Sequence, residues 1–457
     1  MRSRTAVTSL VALLCAACAQ APTTQPEALP AAEAPAAVMA PLAEPQREAA
    51  VTPATQTPEQ GKVAASPPPP AHLWGRIRAG FRLPNLNGPL VREWEQWYST
   101  RPDYVARMVE RSSRFLYHVV EEVERRKMPA EIALLPMIES AYNPQAYSRS
   151  HASGMWQFIP STGKLYGLRQ NFWYDGRRDP IAATNAALDY LEKLYGMFGN
   201  WELALAAYNW GEGAVSRAIA RNQAKGLPAD YESLTMPNET RNYVPKLQAV
   251  KNIVADPAQF GLQLAEVPNE PYIATVVAKR HIDVNLAARL AEIPLEEFKF
   301  LNPGHNKPVI KADGSETIVL PRHKVETFQR NLEAHDKPLV SWQAYTVKRS
   351  DQPQKIAAKY GITLARLKEV NGINGRRNIV AGQTILVPFS GNVEPYLPDL
   401  PAPKVRTVRY PKKCAKAGKG QAAKTAQCPA AKKKSPAPST RQPAQRVKVT
   451  LRSPAGS

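Results

Sequence analysis

The sequence predicts a multidomain chain, with an α-helical domain followed by two small βααβ modules, between a low-complexity amino-terminal segment and a basic carboxy-terminal tail. Three observations support this architecture. Apolar residues recur at helical spacing over residues 73–256, where the alternation typical of strands is scarce. A βααβ pattern of about fifty residues then occurs twice. Both ends of the 457-residue chain are biased in composition.

Residues 1–18 predict a secretion signal. Arg2 and Arg4 precede the short apolar stretch Ala6 to Leu14, which cannot span a bilayer but is typical of a signal peptide. The small residues before Cys18 resemble a bacterial lipoprotein processing site, which implies lipidation of Cys18 and a place on the periplasmic face of a Gram-negative outer membrane. The usual leucine stands one position too early, so ordinary signal cleavage stays open.

The two ends of the chain predict disorder. Residues 19–71 are rich in Ala, Pro and Thr, as in an extended linker. The tail, residues 391–457, carries fifteen Lys or Arg and no acidic residue after residue 400, within a net charge of +21. It predicts contact with polyanions but no specific nucleic-acid binding, because aromatic residues are almost absent. Cys414 and Cys428 could form a disulfide or remain free thiols.

The helical region divides into an amino-terminal segment, residues 72–128, and a domain at residues 129–260 that holds the candidate site. Amphipathic patterns continue up to Arg125-Arg126-Lys127, whose charges suit a helix end. Asp179-Pro180 is a strong helix start, an N-cap followed by proline. The helices expected in the second part are Ala130 to Ile138, Ile181 to Met197, Glu202 to Tyr208 and Tyr243 to Val254.

The repeated modules occupy residues 268–323 and 342–390. The first contains Leu295-x-x-Phe298-x-x-Leu301-Asn302-Pro303, which matches Leu364-x-x-Leu367-x-x-Val370-Asn371-Gly372 in the second. Each copy predicts a strand, two helices and a second strand. A small unit used twice favours a binding module over an enzyme.

Glu139 is the candidate catalytic residue. It ends the apolar run Ala133 to Ile138. A carboxyl group among apolar neighbours has a raised pKa and can protonate the leaving oxygen of a glycosidic bond. The ordinary alternative is a surface glutamate at a helix end. The histidines and cysteines show no metal-ligand spacing, so we expect neither a metal site nor a cofactor.

Four separated segments resemble the lytic transglycosylase family, which cuts peptidoglycan glycan strands on a lysozyme-like helical domain. The resemblance implies that Glu139 protonates the β-1,4 bond between N-acetylmuramic acid and N-acetylglucosamine. The same residue, then ionised, would remove the proton of the 6-hydroxyl and close a 1,6-anhydro ring without a second carboxylate. The segments are Pro136 to Pro144, Ser153 to Gly163, Ala206 to Gly213 and Glu239 to Lys246.

The same resemblance implies substrate contacts. Ser148 matches the serine that binds the substrate acetamido group, and Tyr243 matches a tyrosine near the catalytic acid. His151 stands where the family often has glycine, and we do not expect it to act as a base. The remaining expected contacts are Met155, Gln157, Tyr208 and Asn209.

The second module resembles a LysM module, and the first resembles a diverged copy. The similarity rests on Tyr345-Thr346-Val347, Asn371 and Gly382-Gln383. LysM modules bind glycans that contain N-acetylglucosamine, between the first strand–helix loop and the second helix–strand loop. The glycan contacts that this implies are Asp351, Gln354, Asn371 and Asn374.

Two other functions stay open from the sequence. A lysozyme-like hydrolase would need a second acid to activate water, and Asp175, Asp179 and Glu212 are available. A non-catalytic peptidoglycan-binding scaffold would suit the modules and the tail. The intact set of Glu139 and its expected partners argues against the scaffold.

Overall fold

A computed structural model describes residues 72–314, 316–373, 379–389, 391 and 395–400. The predictions for the signal peptide with Cys18, for the linker and for the tail beyond residue 400 lie outside these residues. So do Cys414, Cys428 and Asn374.

The helical domain begins with four helices: α1 (Leu73–Ala79), α2 (Pro89–Ser99), α3 (Pro102–Ser112) and α4 (Leu116–Arg125). Their apolar stripes face inward, as the helical spacing predicts. Residues before and after position 129 share one hydrophobic core; Val120 of α4 and Leu134 belong to it together. The core therefore shows no break at the predicted boundary between the amino-terminal segment and the domain that follows.

The segment that carries Glu139 is two short helices and not one. Residues Ala130–Leu134 form a 3₁₀ helix, and α5 covers Leu135–Ser140. Pro136 explains the break, because proline lacks an N–H and its ring collides with the carbonyl four residues earlier in an α-helix. It is tolerated in the first turn of α5, where that N–H has no helical partner.

The predicted later helices are present with bounds close to those expected. The Asp179 carboxylate accepts the N–H groups of Ile181 and Ala182 and caps α7, as the Asp-Pro pair predicts. Two of the short helices, α6 and α10, and the longer α9 were not expected. In the described residues, no helix is both long enough and apolar enough to cross a membrane. The helices are α6 (Pro160–Leu165), α7 (Pro180–Phe198), α8 (Trp201–Trp210), α9 (Glu212–Gln223), α10 (Asn238–Arg241) and α11 (Tyr243–Ala255), followed by a 3₁₀ turn at Ala258–Phe260.

Both modules have the predicted βααβ order, so this part of the fold prediction is confirmed. The outer strands of each module pair antiparallel, and the registers correspond: Ile273 faces Pro321, and Trp342 faces Pro388. The first module adds a short strand pair and a closing helix that the sequence did not predict. Its elements are β1 (Ile273–Val277), β2 (Ile282–Asp283), α12 (Val284–Leu290), α13 (Leu295–Leu301), β3 (Val309–Ile310), β4 (Thr317–Pro321) and α14 (Val325–Glu333). Those of the second are β5 (Trp342–Thr346), α15 (Pro353–Lys359), α16 (Leu364–Val370) and β6 (Thr384–Pro388).

One asparagine holds each module together in the same way. Asn302 donates its amide to the carbonyls of Phe298 and Val319 and accepts the N–H of Val319, at 2.7–2.9 Å. Asn371 makes the same three bonds in the second module, to the helix before it and the strand after it. Both are 7% exposed. The repeat seen in the sequence is therefore a repeat of internal hydrogen bonds.

Candidate active site

A cavity of about 440 Å³ opens beside α5, α8 and α11 and under the loop of residues 143–159, which we call the cavity loop. Its lining brings together residues that lie far apart in the sequence. Six of the predicted site residues are among them: Glu139, Ser148, Gln157, Tyr208, Asn209 and Tyr243.

Glu139 lies at the end of α5, half-buried, with its carboxyl group facing the cavity. Burial raises the pKa of this carboxyl to about 7, and the negative charge of Glu239 adds to the effect. A hydrogen bond from Tyr243 and the charge of Lys246 act in the opposite direction. A carboxyl group with this pKa can be present in its acid form and in its base form near neutral pH.

Tyr243 is the direct partner of Glu139. It starts α11, is 4% exposed, and donates its hydroxyl to Oε1 of Glu139 at 2.5 Å. Burial raises the pKa of Tyr243 well above its ordinary value, so the phenol stays neutral and keeps its proton to donate. Tyr208 beside it donates to the Trp156 carbonyl at 2.9 Å, so it does not compete for the carboxylate.

The cavity loop presents Ser148 and Gln157. The Ser148 hydroxyl accepts the N–H of Ala152 at 3.0 Å and lies 2.9 Å from the hydroxyl of Ser150. Gln157 has a left-handed backbone, with φ of 52°, and its amide donates to the Gly154 carbonyl at 2.7 Å. Both side chains are thus oriented by bonds within the loop itself.

Arg177 holds the cavity loop in place through hydrogen bonds to its backbone. This guanidinium, in a residue 5% exposed, donates to the carbonyls of His151 at 2.7 Å and Phe158 at 3.1 Å, on the two sides of the loop. Asp175 pairs with it through both carboxylate oxygens, at 2.9 and 2.7 Å. The contacts with these two carbonyls could not be predicted from the sequence, because they lie nineteen and twenty-six residues away.

The three candidate second acids are all hydrogen-bonded to other groups, and none of the three lines the cavity. Asp175 is paired with Arg177, and Asp179 caps α7. Glu212 accepts the Tyr190 hydroxyl at 2.6 Å and pairs with Lys193. The Tyr190 bond is the main reason that the pKa of Glu212 is lowered.

Two charged residues of the lining were missed as site candidates. Glu239 on α10 and Lys246 on α11 both border the cavity. They stand four residues before and three residues after Tyr243, and residues at this helical spacing share a face. That spacing was the available signal.

Met155 and His151 are placed differently from the other candidates. Met155 was expected to touch substrate, but its side chain is 1% exposed in the core, because the loop turns it inward; its carbonyl accepts the Ser140 hydroxyl at 2.9 Å. His151 does not line the cavity, and its ring nitrogen lies 2.7 Å from the Tyr147 hydroxyl.

The residues of the second module that were expected to contact glycan differ in their exposure and in their hydrogen bonds. Asp351 accepts the Tyr345 hydroxyl at 2.7 Å and the Lys348 N–H at 2.8 Å, which closes the strand–helix loop. Gln354 is exposed. Asn371, expected to contact glycan, is buried, and its amide is bonded within the module.

Three family models match successive parts of the chain. The transglycosylase SLT domain matches residues 92–229. The LysM-like domain of lytic transglycosylase MltD matches residues 272–337, and the LysM domain matches residues 345–388.

Whole proteins match as well. Membrane-bound lytic murein transglycosylase D of Escherichia coli (strain K12) is 33% identical over 332 residues, which is 70% of this chain and 73% of that protein. A protein named for tributyltin chloride resistance, from Alteromonas sp. (strain M-1), is 46% identical over 27% of this chain and 61% of its own. The structure of the 70 kDa soluble lytic transglycosylase of Escherichia coli matches 36% of this chain and 29% of that one at 25% identity, with a TM-score of 0.26, too low to support a statement about the fold.

The contact between Gly154 and Arg177 yields a prediction. Gly154 has a φ of +85°, and a Cβ there would lie 1.8 Å from the Arg177 carbonyl oxygen. Gly167 has a similar φ, +76°, with no atom within 4 Å. We expect Gly167→Ala to cost only backbone strain, about 1–2 kcal/mol. Gly154→Ala should also displace the cavity loop and accelerate its cleavage in limited proteolysis. Equal cleavage of the two variants would contradict the tight contact.

Proposed function

The chain belongs to the membrane-bound lytic murein transglycosylase D family, and we propose that this peptidoglycan lytic transglycosylase uses Glu139 as its single catalytic acid and base. It cleaves the β-1,4 bond between N-acetylmuramic acid and N-acetylglucosamine and leaves 1,6-anhydromuramic acid ends. The observation that supports the role of Glu139 is its half-buried carboxyl, bonded to Tyr243 in the cavity, with a pKa of about 7.

In the first step Glu139 is neutral and donates its proton to the glycosidic oxygen. The bond between that oxygen and C1 of the muramic acid breaks, and N-acetylglucosamine leaves with the proton. Positive charge develops at C1, where the substrate's own acetamido group stabilises it, oriented by Ser148. The Tyr243 hydroxyl stabilises the carboxylate that Glu139 becomes.

In the second step the ionised Glu139 acts as the base. It takes the proton of the 6-hydroxyl, whose oxygen bonds to C1 and closes the anhydro ring. The proton that Glu139 lost is thereby restored, and no water is consumed. A pKa near 7 suits a residue that must serve as acid and then as base at similar rates.

A hydrolase on the same fold is the second candidate. Of the three acids considered from the sequence, none borders the cavity, which disfavours it. Among the described residues, Glu239 is the one carboxylate besides Glu139 in the cavity lining, and it is exposed. Glu239 is therefore the residue that a hydrolytic reaction would use to activate water.

Replacing Glu139 tests the reaction and the residue together. Purified peptidoglycan digested by the full chain should release anhydro-muropeptides in mass spectrometry, and Glu139→Gln should release none while still binding peptidoglycan. Products with reducing ends would indicate hydrolysis, and Glu239→Gln would then be the next variant to assay.

Loss of activity in Glu139→Gln should not come from unfolding. Because the folded pKa is raised, the stability that the neutral carboxyl contributes is complete below pH 4.5 and is lost as the pH rises through about 7. The variant removes the ionised buried carboxylate and should be at least as stable as the wild type at pH 8.

The pH dependence tests the bond from Tyr243. Activity should fall as the pH rises through about 7, because the acid form of Glu139 is lost. Tyr243→Phe removes a bond that favours the charged carboxylate, so the pKa should rise and the basic limb should move to higher pH. Tyr190→Phe is the control, since Tyr190 borders the same cavity but donates to Glu212. An unmoved limb in Tyr243→Phe would argue against Glu139 as the acid.

The chain acts in the Gram-negative cell envelope, as its membrane-bound relative does. Within our proposal, Cys18 carries a lipid anchor to the outer membrane, and the tail after residue 400 contacts polyanions through its fifteen basic residues. Metabolic labelling with palmitate should mark the wild type and not Cys18→Ala; labelling of both would remove Cys18 from this role.

Co-sedimentation with anionic vesicles should weaken with salt and with removal of the tail; undiminished sedimentation would argue against polyanion contact.

A further inference from the structure

The first module is attached to the helical domain at the segment that supports the cavity loop. The helical domain contributes residues 169–178, which we call the support segment. The module contributes residues 302–308, the loop between α13 and β3, which we call the module loop. The Asp175 N–H donates to the Gly304 carbonyl at 2.8 Å, and the Asn306 N–H donates to the Trp173 carbonyl at 2.7 Å.

Side chains fill the same junction. Asn306 donates to the Asn171 carbonyl at 3.2 Å and accepts from the Arg178 guanidinium. The ring of Tyr174 lies 5.3 Å from that of His305, between ring centroids. Gly304 permits this approach, because a Cβ there would lie 2.7 Å from the Tyr174 ring.

Further contacts extend the junction. Arg169 of the support segment pairs with Asp313 at 2.6 Å and with Glu316, which is 6% exposed. Segment 395–400, after the second module, returns to the same place: the Phe172 N–H donates to the Leu400 carbonyl at 3.0 Å, and the Trp173 indole donates to the Pro398 carbonyl at 2.9 Å. The support segment is thus held by the module and by the chain after it.

The support segment also contacts the cavity loop. Asp175, whose N–H binds Gly304, also holds Arg177 through its carboxylate. Arg177 in turn binds the two sides of the cavity loop, which carries Ser148 and Gln157. Tyr174, which packs on the module, donates its hydroxyl to Asp179, the cap of α7. Two residues, Asp175 and Arg177, therefore link the module loop to the cavity loop.

Comparison of the two modules shows which part of the first is used for this junction. Asn302 and Asn371 are equivalent, because they make the same internal bonds. The module loop is therefore the counterpart of the loop after α16 in the second module. In the first module this loop packs against the chain's own support segment, with Gly304 buried in the contact.

We propose that the first module is a positioning element of the active site, which holds the support segment and through it the cavity loop over Glu139. This inference rests on the proposed function and deepens it. Rigid support matters because catalytic groups displaced by about 1 Å can lose up to about 100-fold in rate. The junction's hydrogen bonds are partly buried and Glu316 is 6% exposed, although the Arg169 side chain that pairs with it is 39% exposed.

Adding a methyl group at position 304 tests the proposal in the full chain. Gly304→Ala drives a methyl group into the Tyr174 ring and should loosen the support segment. The matched control is Gly196→Ala on α7, the same change at a position where no atom of the described residues lies within 4 Å. Asn306→Ala, which removes two side-chain bonds across the junction, is the second variant and decides alone if Gly304→Ala does not fold.

The readouts are the rate of anhydro-muropeptide release at saturating peptidoglycan, measured from pH 5 to 9, and binding to insoluble peptidoglycan. We expect Gly304→Ala to lower the rate on the order of tenfold, within the range known for misplaced catalytic groups. In the pH–rate profile of this variant, the fall in rate at high pH should begin at a lower pH, because water entering the loosened cavity favours the ionised Glu139. Binding should be unchanged, and Gly196→Ala should match the wild type.

Three results would overturn the inference. A lower melting temperature with wild-type rate and pH limb in both junction variants would show a merely structural contact. Weaker peptidoglycan binding with an unchanged rate would show that the module loop serves glycan binding. In both cases the wild type still releases anhydro products and Glu139→Gln does not, so the proposed function stands. A wild type without anhydro products would remove the proposed function and this inference together.

Discussion

The carboxyl group of Glu139 must be buried enough to keep its proton before the first step. It also needs neighbours that stabilise its ionised form after the proton has been donated. Burial alone would leave a poor base after the first step, and full exposure would leave a poor acid before it. The structure balances the two with the Tyr243 hydroxyl and the Lys246 charge on one side, and burial and the Glu239 charge on the other. Helix α5 and the consecutive helices α10 and α11, which lie far apart in the sequence and meet only in the folded domain, supply these groups.

Burial of Glu139 depends in turn on a cavity loop that has no regular structure of its own. A loop of this kind loses conformational entropy when it is ordered, and something must offset that loss. Arg177 does so, because a guanidinium paired with Asp175 still has N–H groups left for two carbonyls of the loop. A buried pair costs desolvation, so its value here is in geometry more than in stability.

The sequence predicted what depends on neighbours along the chain. The Asp179 cap, the order of both modules and the apolar surroundings of Glu139 follow from local patterns, and the structure has them. It did not predict the inward direction of Met155 or the break at Pro136. It also missed Arg177 and the module loop, since contacts across 26 or 129 residues leave no periodic trace in one sequence.

The two modules show how one fold can keep its interior and change its use. The buried asparagine is common to both, and losing it would leave the N–H and the carbonyl of one residue in the following strand without this partner, at about 1–3 kcal/mol each. The loop after it is under no such constraint. In the first module this loop contains a glycine where the Tyr174 ring approaches and an asparagine that reaches Arg178. Its surface has therefore become complementary to the helical domain, while the core that supports the loop has stayed the same.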